Sequence, residues 1–204
     1  LYYLLDMAPD SPQASRWKSL REGIERNVRA HLWDVKRQKF IPHIYPEKSP
    51  IPEGFDELAI HYHGGTAIAI EAGLLSKDEI RTVNAQMLEN VRLSGMPSIG
   101  LTLYPVYPDG FFHGGMSKAY LYQNGGDWTW FGGRMIQQLV VNGMVEEAYA
   151  EIHPMIERVI QNDGFYEWYG KGGVPSGSGN FKGSAGVLSK AIELLRDWAE
   201  KNKS

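Results

Sequence analysis

The segment from Tyr122 to Phe131 concentrates the side chains that proteins use to bind sugars. It carries four aromatic rings, two amides and one carboxylate around the glycine pair Gly125-Gly126. Amides and carboxylates form hydrogen bonds with hydroxyl groups, and aromatic rings pack against apolar surfaces such as the faces of a pyranose ring. The segment therefore indicates either a carbohydrate site or a buried aromatic corner beside the start of a helix.

A second segment, from Gly164 to Tyr169, places Glu167 between the rings of Tyr166 and Trp168. Rings on both sides remove a carboxylate partly from water, which raises its affinity for protons towards the pH at which an enzyme works. A stretch rich in glycine and proline follows, as is typical of a shaped loop. Glu167 is thus a candidate for proton transfer, and the alternative is a solvated loop glutamate.

Three histidines, His61, His63 and His113, raise the question of a metal site. His61 and His63 are two positions apart, so on a helix they would point to different faces, and no His-Glu-x-x-His arrangement accompanies them. We therefore expect no metal. Glycine pairs follow His63 and His113 and permit close approach of a ligand or of backbone, so we predict a hydrogen-bonding role for His63.

Composition narrows the class of protein. The 204 residues, 43% of them hydrophobic, give room for one large domain or for part of a larger one. A net charge of -3 provides no electrostatic footprint for nucleic acid or for an anionic membrane. There is no cysteine, no run approaches the ~20 apolar residues of a membrane span, and the compartment stays open. The glycine-rich stretch 172–179 lacks a preceding strand, so we predict neither a nucleotide nor another cofactor.

Hydrophobic spacing predicts helices along most of the chain. Some are amphipathic and others are apolar nearly all round, as buried helices are. Ser11 and Pro12 are expected to start the second helix, Asp56 and Glu57 to cap the third, and Ser76 with Glu79 to form a capping box for the fourth. The stretches predicted as helix are 1–8, 12–33, 55–72, 77–91, 128–141, 145–160 and 185–199.

These helices repeat in a fixed order. Long loops at 34–54, 94–123 and 162–179 lead into the buried helices, and short turns leave them. The pattern predicts an all-α array of helical hairpins with every long loop at one end, where rigid scaffolds carry function. An all-α solenoid is the structural alternative. Three hairpins cannot close a ring, so we expect the missing half to come from upstream sequence or another chain.

This alternation of inner and outer helices resembles the six-hairpin (α/α)6 toroid of glycosidases. The segment 122–128 resembles the Asn-Gly-Gly-x-Trp segment of trehalases, glucosidase-like hydrolases and related phosphorylases. Segment 164–169, followed by 181–186, resembles the glutamate-aromatic pair of those families and the glycine-rich approach to their last inner helix. The resemblance implies that residues 1–204 are a single all-α domain, the C-terminal half of a toroid.

The resemblance also implies that Glu167 is the general base of an inverting glycoside hydrolase acting on an α-linked sugar or small oligosaccharide. Such hydrolysis needs a carboxylate that activates water and a carboxylic acid that protonates the leaving oxygen. The acid is expected upstream of Leu1. Within the chain, Asp127 is the candidate for catalysis or for a substrate contact, although the resembling families commonly have an apolar residue there.

The substrate is expected to be held by aromatic faces and by hydrogen-bonding groups from the same loops. Two alternatives stay open: a glycoside phosphorylase, in which phosphate replaces the water and its base, and a catalytically silent carbohydrate-binding or scaffold domain. The residues predicted to bind substrate are Tyr122, Gln123, Asn124, Trp128, Trp130, Trp168 and His63.

Overall fold

The described part of the chain is mostly helical. The computed structural model describes residues 1–203, except for the side chain of Tyr2. The helical class predicted from the sequence is confirmed. The α-helices of this part are α1 Tyr2–Met7, α2 Ala14–Leu32, α3 His63–Glu71, α4 Lys77–Ser94, α5 Thr129–Val141, α6 Val145–Gln161 and α7 Lys182–Lys201.

Short antiparallel ladders join the long loops to one another and to helix ends. Each strand has two residues, so the ladders satisfy a few loop amides and carbonyls without forming a sheet core. The ladders pair β1 Trp33–Asp34 with β2 Lys39–Phe40, β3 His61–Tyr62 with β4 Leu103–Tyr104, and β5 Trp168–Tyr169 with β6 Pro175–Ser176.

The long loops meet at one end of the helices, as the repeat predicted. Strand β3 lies at the end of the first long loop and pairs with β4 in the second. Isolated pairings then connect Leu101 with Asp127 and Asp127 with Tyr169, so the second and third loops meet where α5 begins. The backbone therefore joins all three loops at the N-terminal ends of α3 and α5.

Helix α5 is the centre of the helical packing. It contacts α3, α6 and α7, and its side chains Met135, Ile136 and Leu139 have no exposed surface. Glycine lets α5 and α7 approach closely, because a Cβ atom added to Gly133 would lie 2.8 Å from Cγ1 of Val187. The three helices that follow long loops, α3, α5 and α7, thus pack side by side, and α4 and α6 pack against them.

The prediction of one helix over 55–72 is wrong. A 3-10 turn, Glu57–Ala59, comes first, strand β3 follows, and α3 starts only at His63. Pairing between Tyr62 and Leu103 holds this stretch extended, and Ile60 is fully buried beside it. Tertiary pairing thus overrides the local apolar spacing. Consequently His61 lies in a strand, and neither Asp56 nor Glu57 caps an α-helix.

The other boundaries follow local signals to different degrees. The capping box is confirmed, since the Ser76 hydroxyl accepts from the Glu79 amide at 3.3 Å and the Glu79 carboxylate accepts from the Ser76 amide at 2.9 Å. Helices α5 and α6 begin and end within a residue of the predicted bounds. Helix α2 starts at Ala14, beyond the predicted Pro12, and α7 starts at Lys182, earlier than predicted. Within residues 1–203, every helix is too short or too polar to cross a membrane.

Candidate functional site

Aromatic rings from two long loops and from the first turn of α5 form a continuous array at the loop end. We call Tyr122, Trp128, Trp130, Phe131 and Trp168 the aromatic array. The Tyr122 ring centroid lies 4.9 Å from that of Trp128 and 6.2 Å from that of Trp168. Phe131 continues the contacts, at 5.9 Å from Trp128 and 4.9 Å from Trp130. The structure therefore brings together the four aromatic residues that were predicted to bind sugar, Tyr122, Trp128, Trp130 and Trp168.

The Gly125-Gly126 pair permits this approach. Gly125 has a φ of +91°, a conformation that side-chain-bearing residues rarely adopt. A Cβ atom on Gly126 would clash with the carbonyl oxygen of Tyr122 and lie 3.1 Å from the Trp168 ring. The amide of Gly126 also donates to the Tyr122 carbonyl at 2.9 Å. The glycines thus allow the turn that sets Tyr122 against Trp168.

The rings of the array differ in how much surface they offer. Trp128 is only 5% exposed, and its Nε1 donates to the Tyr122 carbonyl at 3.2 Å. It packs against Tyr122 and Phe131 of the array and has too little exposed surface to stack on a sugar. This corrects the prediction that Trp128 contacts the substrate. Tyr122, Trp130 and Trp168 are half-buried and Gln123 is exposed. Of the residues predicted to bind substrate, these four keep side-chain surface that a ligand can reach.

The side chain of Asn124 is fully buried and fully used inside the protein. Its Oδ1 accepts from the Tyr107 amide at 2.9 Å, and its Nδ2 donates to the carbonyls of Tyr107 at 3.1 Å and Lys118 at 3.2 Å. An enclosed amide with its partners in place does not meet substrate. We therefore reassign Asn124 from substrate binding to holding the second long loop.

Asp127 is also enclosed, with no exposed surface. The hydroxyl of Ser98 donates to both carboxylate oxygens, at 2.9 and 2.7 Å, and Nη1 of Arg158 lies 2.8 Å from Oδ1. The same guanidinium donates to the Thr129 hydroxyl at 2.7 Å and lies 4.1 Å from the centre of the Tyr169 ring. Asp127 is thus a structural anchor between α5, α6 and β5, which corrects its predicted catalytic or substrate role.

Glu167 is half-buried at the start of the β5–β6 hairpin. Its amide donates to the Ser178 carbonyl at 2.9 Å, and its Oε2 accepts from the Ser178 amide at 3.4 Å. Gly177, with a φ of +71°, makes room for the carboxylate, because a Cβ atom there would lie 3.1 Å from its Cδ. No hydrogen bond from residues 1–203 reaches Oε1. One oxygen is therefore held while the other is free to bind water.

Glu167 and Trp168 contact different neighbours. The Trp168 ring lies 6.2 Å from that of Tyr122 in the array, whereas the Glu167 carboxylate lies against Gly177 and the Ser178 amide. The carboxylate is thus positioned by the β5–β6 hairpin and not by the aromatic array.

His63 is a buried histidine at the first position of α3. Burial lowers its pKa to about 3, so its ring is neutral, and Nε2 lies 3.1 Å from Nδ2 of Asn90. The predicted hydrogen-bonding role of His63 is confirmed. Because its ring has no exposed surface, the prediction that it contacts substrate is corrected, and His63 supports the core instead. In the described residues, no cluster of three His, Asp or Glu side chains could hold a metal ion.

A second polar cluster was missed from the sequence. Glu57 accepts three hydrogen bonds on one oxygen, from His43, Tyr45 and Tyr107. The donors come from different loops, and no spacing in the sequence relates them. The aromatic and histidine content of the first long loop was the one available signal.

No known protein family and no curated protein matches the sequence.

Proposed function

We propose that this chain forms the sugar-binding half of a glycoside hydrolase whose helical hairpins belong to an (α/α)6 toroid. The observation that supports this proposal best is the aromatic array, in which rings from two long loops and from the first turn of α5 meet at one end of the helices. A core would enclose such rings. Here Tyr122, Trp130 and Trp168 keep exposed surface, as rings that stack on a ligand must.

Binding would use Trp130 in particular. Its ring lies 4.6 Å from the guanidinium carbon of Arg134, which in turn pairs with Glu71 at 3.0 Å. The ring and Arg134 also line a groove of about 540 Å³, whose other lining residues lie within 1–25 and 68–74 and include no further ring of the array. The apolar face of a pyranose would stack on the indole, while the exposed amide of Gln123 supplies hydrogen bonds near the rest of the array.

Glu167 would act as the general base. The Ser178 amide orients its carboxylate, and the free Oε1 would take a proton from the attacking water. Inversion at the sugar requires a carboxylic acid on the other side of the bond, roughly 6.5 to 9.5 Å from the base. Asp127 is locked in its ion pair with Arg158, so this acid would come from residues outside this sequence.

A catalytically silent carbohydrate-binding domain is the second candidate. The contacts of the Glu167 carboxylate are with Gly177 and Ser178 and not with the array, which favours this candidate, because binding would then need the array and not the carboxylate. A phosphorylase would need free basic groups for phosphate, and Arg134 is already paired with Glu71.

The deciding experiment compares Glu167→Gln with the unmodified protein, both in the longest natural chain that carries this sequence. We expect sugar release from α-linked disaccharides to fall roughly 10²- to 10⁴-fold, with binding retained, because a lost general base affects the chemical step. Glu157→Gln, an exposed glutamate on α6, is the control. Unchanged release would exclude Glu167 as base. Release that requires added phosphate would indicate a phosphorylase, and binding without release would indicate the silent domain.

A further inference from the structure

Three side chains from the first two long loops converge on one carboxylate oxygen of Glu57. We call His43, Tyr45, Glu57 and Tyr107 the Glu57 cluster. Oε1 of Glu57 accepts from Nδ1 of His43 at 2.7 Å, from the Tyr45 hydroxyl at 2.8 Å and from the Tyr107 hydroxyl at 2.7 Å. Three donors on a single acceptor fix the orientation of the carboxylate.

The charge state of the cluster follows from these bonds. Partial burial alone would raise the pKa of Glu57, but hydrogen bonds from His43, Tyr107 and Tyr45 hold it below its ordinary value. Burial, together with the bond to Glu57, raises the pKa of Tyr45 to about 12, so this hydroxyl keeps its proton. Because an ionised carboxylate only accepts, the Nδ1 of His43 must carry the proton of its bond to Glu57, which leaves Nε2 on the other side of the ring.

Two polar atoms of the cluster have no partner among the described residues. Neither Oε2 of Glu57 nor Nε2 of His43 makes a hydrogen bond with those residues. The side chain of His43 is 42% exposed and that of Glu57 is 11% exposed. The three donors of the cluster all bond to Oε1, which leaves Oε2 and Nε2 for a ligand.

The cluster is backed by rigid aromatic packing. Tyr107 has no exposed surface, and the Phe111 ring stacks on it at a centroid distance of 4.9 Å. Phe112 and Phe55 complete the contact at 4.8 and 5.8 Å. Groups held in place before a ligand arrives lose little conformational entropy on binding. The cluster thus has the preorganisation expected of a binding site.

Tyr107 also connects the cluster to the aromatic array. Its backbone is held by the Asn124 side chain, and its hydroxyl bonds to Glu57. Asn124 lies two residues after Tyr122 of the array. One tyrosine side chain therefore spans the distance between the loop that carries the array and the carboxylate, so both sites belong to the same end of the helices.

We propose that Glu57 and His43 form a second sugar subsite, which takes neighbouring hydroxyl groups of a neutral ring linked to the sugar on the aromatic array. Two unpaired polar atoms suit two hydroxyl groups, which can both donate and accept hydrogen bonds, and the negative charge of Glu57 excludes sugar acids. This inference rests on the proposed carbohydrate function, because it places the array and the subsite on one ligand.

The experiment measures binding by calorimetry, with the longest natural chain that carries this sequence. The probes are glucose, mannose and galactose, their α-linked disaccharides, and glucuronic acid. We expect a disaccharide to bind more tightly than its monosaccharide. Glu57→Gln and His43→Ala should each weaken disaccharide binding about 10-fold, the loss expected for one hydrogen bond in which a charged or strongly polar acceptor takes part, and leave monosaccharide binding unchanged. Glucuronic acid should not bind at the subsite.

Matched variants separate the possible failures. Glu53→Gln removes an exposed carboxylate from the same loop and should change nothing. Trp168→Ala should weaken monosaccharide and disaccharide binding alike, because it removes a ring of the array. If disaccharides bind equally well to Glu57→Gln, His43→Ala and the unmodified chain, the subsite is excluded while the carbohydrate function stands. If no sugar binds the unmodified chain, the carbohydrate function fails first. If Glu57→Gln lowers thermal stability, His43→Ala still tests the subsite, because the side chain of His43 is exposed.

Discussion

Arg158 and Asp127 form an enclosed ion pair at the junction of three segments of the chain. Nη1 and Oδ1 are 2.8 Å apart, and the two side chains are 5% and 0% exposed. Ser98, Thr129 and Tyr169 occupy other faces of the pair. Because Asp127 directly precedes Trp128 and the start of α5, the pair fixes the base of the aromatic array.

Removing one charge of this pair should destabilise the protein strongly. Arg158→Met leaves the Asp127 carboxylate buried without its cation, and we expect the free energy of unfolding to fall by about 3 to 5 kcal/mol. The double variant Arg158→Met with Asp127→Asn should lose less than the sum of the single variants, because it buries no unpaired charge. Chemical denaturation of all three measures the coupling. Arg81→Met, which breaks a solvated pair with Asp78, is the control and should change little. Equal losses for Arg158→Met and Arg81→Met would contradict the assignment.

Glu151 should make the stability of the fold depend on pH. It is 7% exposed between α4 and α6, and its only hydrogen bond within the described residues comes from Asn84 at 2.7 Å. Burial raises its pKa from 4.5 to about 7. The folded protein therefore holds this proton more tightly than the unfolded chain does. Its contribution is fully present below pH 4.5 and is lost as the pH rises to about 7.

At roughly 1.4 kcal/mol for each pKa unit, the loss across this window is on the order of 3 kcal/mol. Glu151→Gln keeps a neutral side chain at every pH and should remove this part of the pH dependence. Unfolding measured at pH 4.5 and pH 7.5 provides the comparison. Glu157→Gln, on an exposed turn of the same helix, should leave the difference between the two pH values intact. A Glu151→Gln profile parallel to that of the unmodified protein would refute the prediction.

Two glycines in the packed helices should respond in opposite directions to alanine. Gly133→Ala would place its Cβ 2.8 Å from Cγ1 of Val187, a β-branched residue that cannot turn away easily, so we expect a loss of about 1 to 3 kcal/mol. Gly186→Ala meets open space on α7 and should gain about 0.5 to 1 kcal/mol from helix propensity. Thermal unfolding distinguishes the two. A gain for Gly133→Ala would show that α5 and α7 are not in close contact.

The sequence predicted those parts of the fold whose causes are local. The bounds of α5 and α6 and the Ser76 capping box depend on nearby residues, and they are confirmed. The start of α3 depends on Leu103, which is distant in the chain and pairs with Tyr62. Apolar spacing alone cannot reveal such a partner, so it predicts helix where the structure has the 3-10 turn and β3.

The sequence predicted which residue types lie at the site, but not which of their side chains are exposed. Asn124 and Asp127 carry groups that suit a sugar and equally suit a buried network. In the structure Asn124 bonds to Tyr107 and Asp127 pairs with Arg158, so both belong to buried networks. Each partner is remote in sequence from the group it binds. The Glu57 cluster was missed for the same reason, since its donors lie in two separate loops.

The two backbone hydrogen bonds between Asp127 and Tyr169, at 2.9 and 2.8 Å, have a consequence for motion. They tie the second long loop to the third directly above the ion pair of Arg158. Neither loop can then swing outward without breaking both bonds and uncovering a charged pair. The second and third long loops should therefore move together as one cooperative unit. Adaptation to different ligands should be confined to side chains at the tips of these loops.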